Sequence, residues 1–215
     1  YYVPLAHDYE GAPEQLNRDE IIQKIKPILE DPKVEKIGHH LKYDAHIFEN
    51  HGIHLQGWYF DTMLASYVLN SVATRHGMDD VARVYLSHFT TTFEQIAGKG
   101  VKQKTFNQIE IETAAHYAAE DAHVTYRLYE VLNAKLAVYP ELLKLLHNVE
   151  MPVAAVLTTM EENGIELNLG FLDELGEDFA QTIQKLEQDI IELAGGEAFN
   201  VSSPKQVGEV LFDKL

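Results

Sequence analysis

The stretch Glu110–Leu136 most constrains this chain, because it is long and strongly helical and breaks only near Pro140. A helix of that length in water depends on tertiary packing of one face. The residues before it supply partners by alternating two kinds of pattern. Tyr1–His7 alternates apolar and polar residues with aromatic and β-branched types, and predicts a strand. Arg18–Glu30 places Ile21, Ile22, Ile25, Ile28 and Leu29 at helical spacing, with Pro32 beyond its end. Val34–His40 reads as a short buried strand. Leu41–Asn50 then turns helical, with Leu41, Ile47 and Phe48 facing inward. Asp61–Leu69 and Asp79–Leu86 read as short helices, the first capped by Asp61. Phe89–Phe106, with Gly98, Gly100 and three lysines, reads as an exposed loop. Strands alternating with helices predict an α/β layer fold.

Composition shifts after about Ala137. Pro140–Asn163 and Gly170–Ala194 read as helices, with a turn and short strand between them at Asn163–Asn168. Ser202-Ser203-Pro204 starts another helix, with a serine cap and proline in the first turn. The first residues carry no cap, turn or initiator methionine, and the last helix runs into the chain end, so both ends read as cut. The absence of cysteine removes disulfides and thiolate metal sites and fits a reducing cytoplasm. A net charge of −17 argues against a general nucleic-acid binder, since phosphate binding needs clustered Lys and Arg. Carboxylates that bind divalent cations escape this objection, because they hold phosphate through the metal.

Two groups of residues could carry such chemistry. Lys42-Tyr43-Asp44 sits where a strand hands over to a helix, the edge at which α/β folds commonly place ligands. The helix dipole favours an ionised carboxylate in that first turn, which makes Asp44 a hard-cation ligand. Tyr117 and Asp121 are four apart in the long helix and project from one face. A phenol one turn from a metal-binding carboxylate can orient an attacking water. Taken alone, each group is also what a solvated helix start, or a core-facing tyrosine beside a surface aspartate, would show. The eleven histidines include no His-Glu-x-x-His pattern and read as surface or satisfied residues. Gly98–Lys104 lacks the ending and context of a nucleotide-binding loop.

The order Ile37-Gly38-His39-His40-Leu41-Lys42-Tyr43-Asp44, Phe60-Asp61-Thr62-Met63-Leu64, Tyr117-Ala118-Ala119-Glu120-Asp121-Ala122 resembles the second and third motifs of the DEDD-type 3′→5′ exonucleases. The likeness is to the proofreading domain of bacterial family A DNA polymerases. Glu150-Met151-Pro152-Val153, Glu162-Asn163-Gly164-Ile165 and Phe199–Gln206 resemble the opening of the polymerase domain that follows it. The resemblance implies a ribonuclease-H-like α/β exonuclease domain over residues 1–145, lacking its N-terminal strands. Residues 146–215 would be a helical C-terminal extension, an incomplete start of the polymerase. It implies two of four metal-binding carboxylates at Asp44 and Asp121, and the water-positioning tyrosine at Tyr117. His40, Tyr43, Arg75, Met78 and Phe93 would hold or splay the 3′ end of single-stranded DNA. His39-His40 stands where the family usually has Gln-Asn, and the family's Asp-x-Glu motif is expected upstream of Tyr1. The implied cofactor is a pair of divalent ions (Mg²⁺ or Mn²⁺, possibly Zn²⁺) about 4 Å apart, with half of their carboxylates missing from this chain. The implied parent copies DNA and proofreads in the bacterial cytosol and nucleoid, on primer-template DNA, with no membrane and no obligate protein partner. The rivals are a degenerate, non-catalytic exonuclease-like scaffold and an RNA-processing exonuclease of the same superfamily.

Overall fold

A computed structural model describes residues 1–214. The chain divides into two compact units, Tyr1–Gly164 and Ile165–Leu215. In the first, α1 (Arg18–Leu29) is followed by β1 (Lys36–Gly38), α2 (Leu41–Glu49) and β2 (Trp58–Asp61). Next come α3 (Thr62–Leu69), α4 (Met78–Leu86), the short α5 (Phe93–Ala97) and the long α6 (Ile111–Ala137). α7 (Pro140–Leu145) passes through a wide π turn at Leu146–Glu150 into α8 (Met151–Asn163). Among the described residues, no helix is long and apolar enough to cross a membrane.

α6 is the spine of this unit. It buries Ala114, Val124, Thr125, Leu128, Leu132 and Leu136, spaced at helical intervals. Helices α3 and α4 and strand β1 pack along that face, and Phe60, Val81 and Leu146 close the core. β1 and β2 pair in parallel, with Ile37 opposite Phe60 and Gly38 opposite Asp61, and α2 is the crossover between them.

Gly38 ends β1 where the chain must pass close to Leu41. A β-carbon there would lie 2.4 Å from Leu41 Cδ2. Leu41 is buried and has little room to retreat. Gly38→Ala is therefore expected to destabilise the fold by about 1–3 kcal/mol through overpacking, read as a lower denaturant midpoint. An unchanged midpoint would contradict this packing.

Several expectations need correction. Tyr1–His7 forms no strand; it lies across the α5–α6 connection. There the His7 ring meets the Ile109 carbonyl at 2.9 Å, and Tyr2 packs edge-on to Phe106. Alternation signals a half-buried surface, and here aromatic packing consumes it instead of a ladder. The sheet partner of β1 is Trp58–Asp61, which the pattern did not single out. Phe89–Phe106 is not all loop: Thr92 and Gln95 form a reciprocal capping box that starts α5, and a 3₁₀ turn follows at Gly100–Lys102. No strand forms in Asn163–Asn168. Leu146, Met151, Ala154 and Thr158 are buried, and the first compact unit runs on to Gly164.

The second unit contains α9 (Leu169–Leu193) and α10 (Pro204–Glu209). The Asn168 side chain accepts from Phe171 N–H, and the Ser203 hydroxyl accepts from Gln206 N–H. Ile190, Leu193, Phe199, Val201, Val207 and Leu211 surround an apolar hollow between α9 and α10.

Candidate active site

The site is organised by Asp61, the last residue of β2, which is only 2% exposed. Its carboxylate accepts from Met63 N–H (2.8 Å) and Leu64 N–H (3.3 Å) at the start of α3. It also accepts from His40 N–H (3.1 Å) and Leu41 N–H (2.8 Å) at the start of α2. One buried anion thus satisfies unpaired amides at two helix N-termini and complements both dipoles. His40, with φ of 65°, makes the tight turn that brings the α2 amides to it. The sequence identified Asp61 as the α3 cap and missed its grip on α2, because the two segments lie twenty residues apart.

Asp44 stands in the first turn of α2, so Asp61 fixes its place. Asp44, Asp121, Gly38, His39, Met78 and Thr125 line one cleft of about 390 Å³ between the β1–α2 junction and α6. Both carboxylates singled out in the sequence therefore border the same cleft. Asp121 is half-buried, and burial first, then the charges of Asp79 and Glu120, raise its pKa from 3.8 to about 6. Asp44 is raised too, by burial and then by Asp61. Crowded, partly desolvated carboxylates of this kind favour either a proton or a cation.

Tyr117 lies one turn before Asp121 on α6, near enough to feel its charge, and lines an adjoining hollow with Thr91, Ile96 and His116. Its ring is wedged between Phe93 (6.3 Å between centroids, 65°) and Phe106 (6.1 Å). Burial, followed by the charge of Asp121, raises its pKa, so Tyr117 keeps its proton at neutral pH. Glu120, from the same motif, accepts from Thr91 N–H at 2.9 Å and pairs with His88. It thereby ties down the connection that carries Phe93.

The remaining expected DNA contacts are dispersed. Met78 lines the cleft, and Phe93 packs on Tyr117. Tyr43 is exposed, with its ring 6.1 Å from that of His40. His40 lines a neighbouring hollow, and Arg75 is exposed on the loop before α4. Two residues escaped the sequence reading, Asp79 and Glu161, and a third was noted there only as a departure from the family motif. His39 faces the cleft and bonds through Nδ1 to Thr62 Oγ1 at 2.9 Å, and burial is the main cause of its lowered pKa. Asp79 adds negative charge near Asp121, and Glu161 engages Lys42 and His46 of α2. Clustering of carboxylates from distant segments would have been the signal for Asp79, and only folding reveals it.

As a cation site, Asp44 and Asp121 offer hard oxygen donors suited to Mg²⁺ or Mn²⁺. Such ions keep several waters and often take only one or two carboxylates plus substrate phosphate. Among the described residues, no cluster of three or more His, Asp or Glu side chains could hold a metal.

Asp44 and Asp121 thus line one cleft beside the carboxyl end of a parallel strand pair. Residues 2–137 match the family model described as 3′→5′ exonuclease, and the chain belongs to that family. More particularly, it is 50% identical to DNA polymerase I of Pseudomonas aeruginosa over the whole of this chain and 24% of the relative. It is 39% identical to DNA polymerase I of Rhizobium leguminosarum, over all of this chain and 22% of that protein. The chain thus spans about a quarter of the length of these curated relatives. Among solved structures it resembles the POL domain of Pol1 from M. smegmatis, in complex with DNA primer-template and dNTP. That match has a TM-score of 0.74 and 28% identity, over 94% of this chain and 31% of the other.

Proposed function

We propose that this chain supplies part of a 3′→5′ proofreading exonuclease within a DNA polymerase I-like protein. In that reading the first 145 residues belong to a ribonuclease-H-like exonuclease domain and residues 146–215 to the start of the polymerase. The parent synthesises DNA on a template in the bacterial cytosol and removes misincorporated 3′ ends during replication and repair. The observation that carries the reading is the convergence of Asp44 and Asp121 on one cleft, with Tyr117 one helical turn before Asp121 on α6. Retention of all three favours an enzyme over a degenerate scaffold.

The reaction is hydrolysis of the terminal phosphodiester: water oxygen bonds to phosphorus and the bond to the neighbouring 3′ oxygen breaks. Two divalent ions, when bound, would acidify the attacking water and stabilise the leaving oxygen. Asp44 and Asp121 would hold them in part, brought within one cleft by Asp61 and α6. Tyr117, locked between two phenyl rings, orients the water with its hydroxyl. His40, Tyr43, Arg75, Met78 and Phe93 take the single-stranded 3′ end. His40 stands where the family has an amide and would offer an imidazole ring to the substrate backbone in its place.

Two carboxylates neutralise only part of the charge of two divalent ions. The 215-residue chain is therefore expected to bind Mn²⁺ with a dissociation constant of about millimolar and to digest single-stranded DNA barely or not at all. Calorimetric titration of the chain beside its Asp44→Ala/Asp121→Ala variant tests this. Loss of the residual Mn²⁺ heat in the variant supports the site. Equal binding by both would remove it, and robust DNA turnover from a clean preparation would show the ligand set to be sufficient.

A further inference from the structure

We propose that Glu161, near the end of α8, is a positioning residue that sets the rotation of α2 and thereby the aim of Asp44. In its purpose this rests on the metal-cleft reading above. Glu161 Oε1 accepts from Lys42 Nζ at 2.5 Å, and its Oε2 lies 2.8 Å from His46 Nε2. The other ring nitrogen of His46 is 3.7 Å from Glu162. Lys42 and His46 are one helical turn apart on one face of α2, and Asp44 falls between them on the opposite side. The face that α8 grips is therefore the back of the face that presents the candidate metal ligand.

The seam between α2 and α8 cannot hold that rotation by packing alone. A hollow of about 200 Å³ opens along it, bordered by His40, Lys42, Leu64, Ala154 and Leu157. At its start α2 is anchored by Asp61, and the His40 side chain makes no cap hydrogen bond. In its nine residues, α2 fully buries Leu41 and Ala45, with Phe48 partly buried against the core. The fork from Glu161 to two side chains on successive turns supplies the missing torsional restraint. A single exposed ion pair would contribute little. One carboxylate shared by an ammonium group and a ring nitrogen on successive turns fixes an angle as well as a distance.

Hydrogen exchange on the whole chain reads this directly. In Glu161→Ala, amides of Ala45–Glu49 are expected to exchange roughly three- to fivefold faster, while those of Val124–Leu132 in α6 keep their wild-type rates. Glu161→Asp, which retains the charge, should recover most of the protection. Residual Mn²⁺ affinity should fall about threefold in Glu161→Ala and recover in Glu161→Asp. Unchanged exchange in α2 overturns the proposal. Equal acceleration in α2 and α6 also overturns it, since that would mark a general contribution to stability. A wild-type chain with no Mn²⁺ affinity would instead overturn the cleft reading, and the exchange rates would still decide whether Glu161 braces α2.

Discussion

Asp121→Asn is expected to have opposite effects on activity and on stability. In the full-length polymerase proposed here, 3′→5′ hydrolysis should fall by about 10³-fold or more, because the lost ligand removes several kcal/mol of metal-borne charge stabilisation. Polymerisation should persist, since the cleft is a separate site in this reading. The metal-free 215-residue chain should become more stable by the same substitution. The Asp121 pKa rises from 3.8 to about 6 on folding, so the folded state holds a proton that the unfolded state has released across that interval. Stability from this group is complete below about pH 3.8. It declines as pH rises through about 6, and above that the ionised carboxylate is a constant penalty. The interval corresponds to at most ~3 kcal/mol, and half-burial with solvent screening reduces it to about 1 kcal/mol. Asparagine removes the penalty, so the variant should melt higher than wild type at pH 7.5 and match it more closely near pH 4. Added Mn²⁺ should narrow the gap at pH 7.5 by stabilising only the wild type. A variant less stable than wild type at pH 7.5 would show that Asp121 serves the fold rather than a cation.

Asp61→Ala should cause the largest loss of stability. The substitution leaves four backbone N–H groups at two helix starts without their acceptor. It also removes the anion that complements both dipoles. Buried unsatisfied donors and lost charge-assisted hydrogen bonds of this kind cost about 4 kcal/mol in total, a large part of the stability of a domain this size. Asp61→Asn keeps one acceptor oxygen and should lose roughly half as much. Urea denaturation followed by circular dichroism measures both. A loss below about 1 kcal/mol for the alanine variant would mean that water replaces the carboxylate and that the junction is not dry. Because Asp61 also seats α2, Asp61→Asn should weaken Mn²⁺ binding even where the chain remains folded.

Much of the fold was legible where it depended on neighbours in sequence. The α6 pattern carried its own period, and that period alone put Tyr117 and Asp121 on one face. Asp61 before Thr62 and Ser203 before Pro204 announced helix starts, because a cap acts within three residues. The failures share another cause. Tyr1–His7 has the composition of a strand, yet a ladder needs a partner, and the nearest surface was the aromatic cluster around Phe106 and Ile109. Trp58–Asp61 is too short for alternation to distinguish from a loop, and it became a strand because β1 lay beside it. Lys42 belongs to a motif that suggests substrate contact, but in the folded chain it is engaged by Glu161, 119 residues away.

The order of residues by itself determined the helices, their starts, and the pairing of a phenol with a carboxylate one turn away, since these follow from backbone periodicity and local hydrogen bonding. Tertiary structure alone decided that Asp44 and Asp121 share a cleft, that Asp61 holds two helices rather than one, and that α8 grips the back of α2. Those outcomes depend on burial and electrostatics between segments distant in the chain, and such forces act only once packing has excluded water from between them.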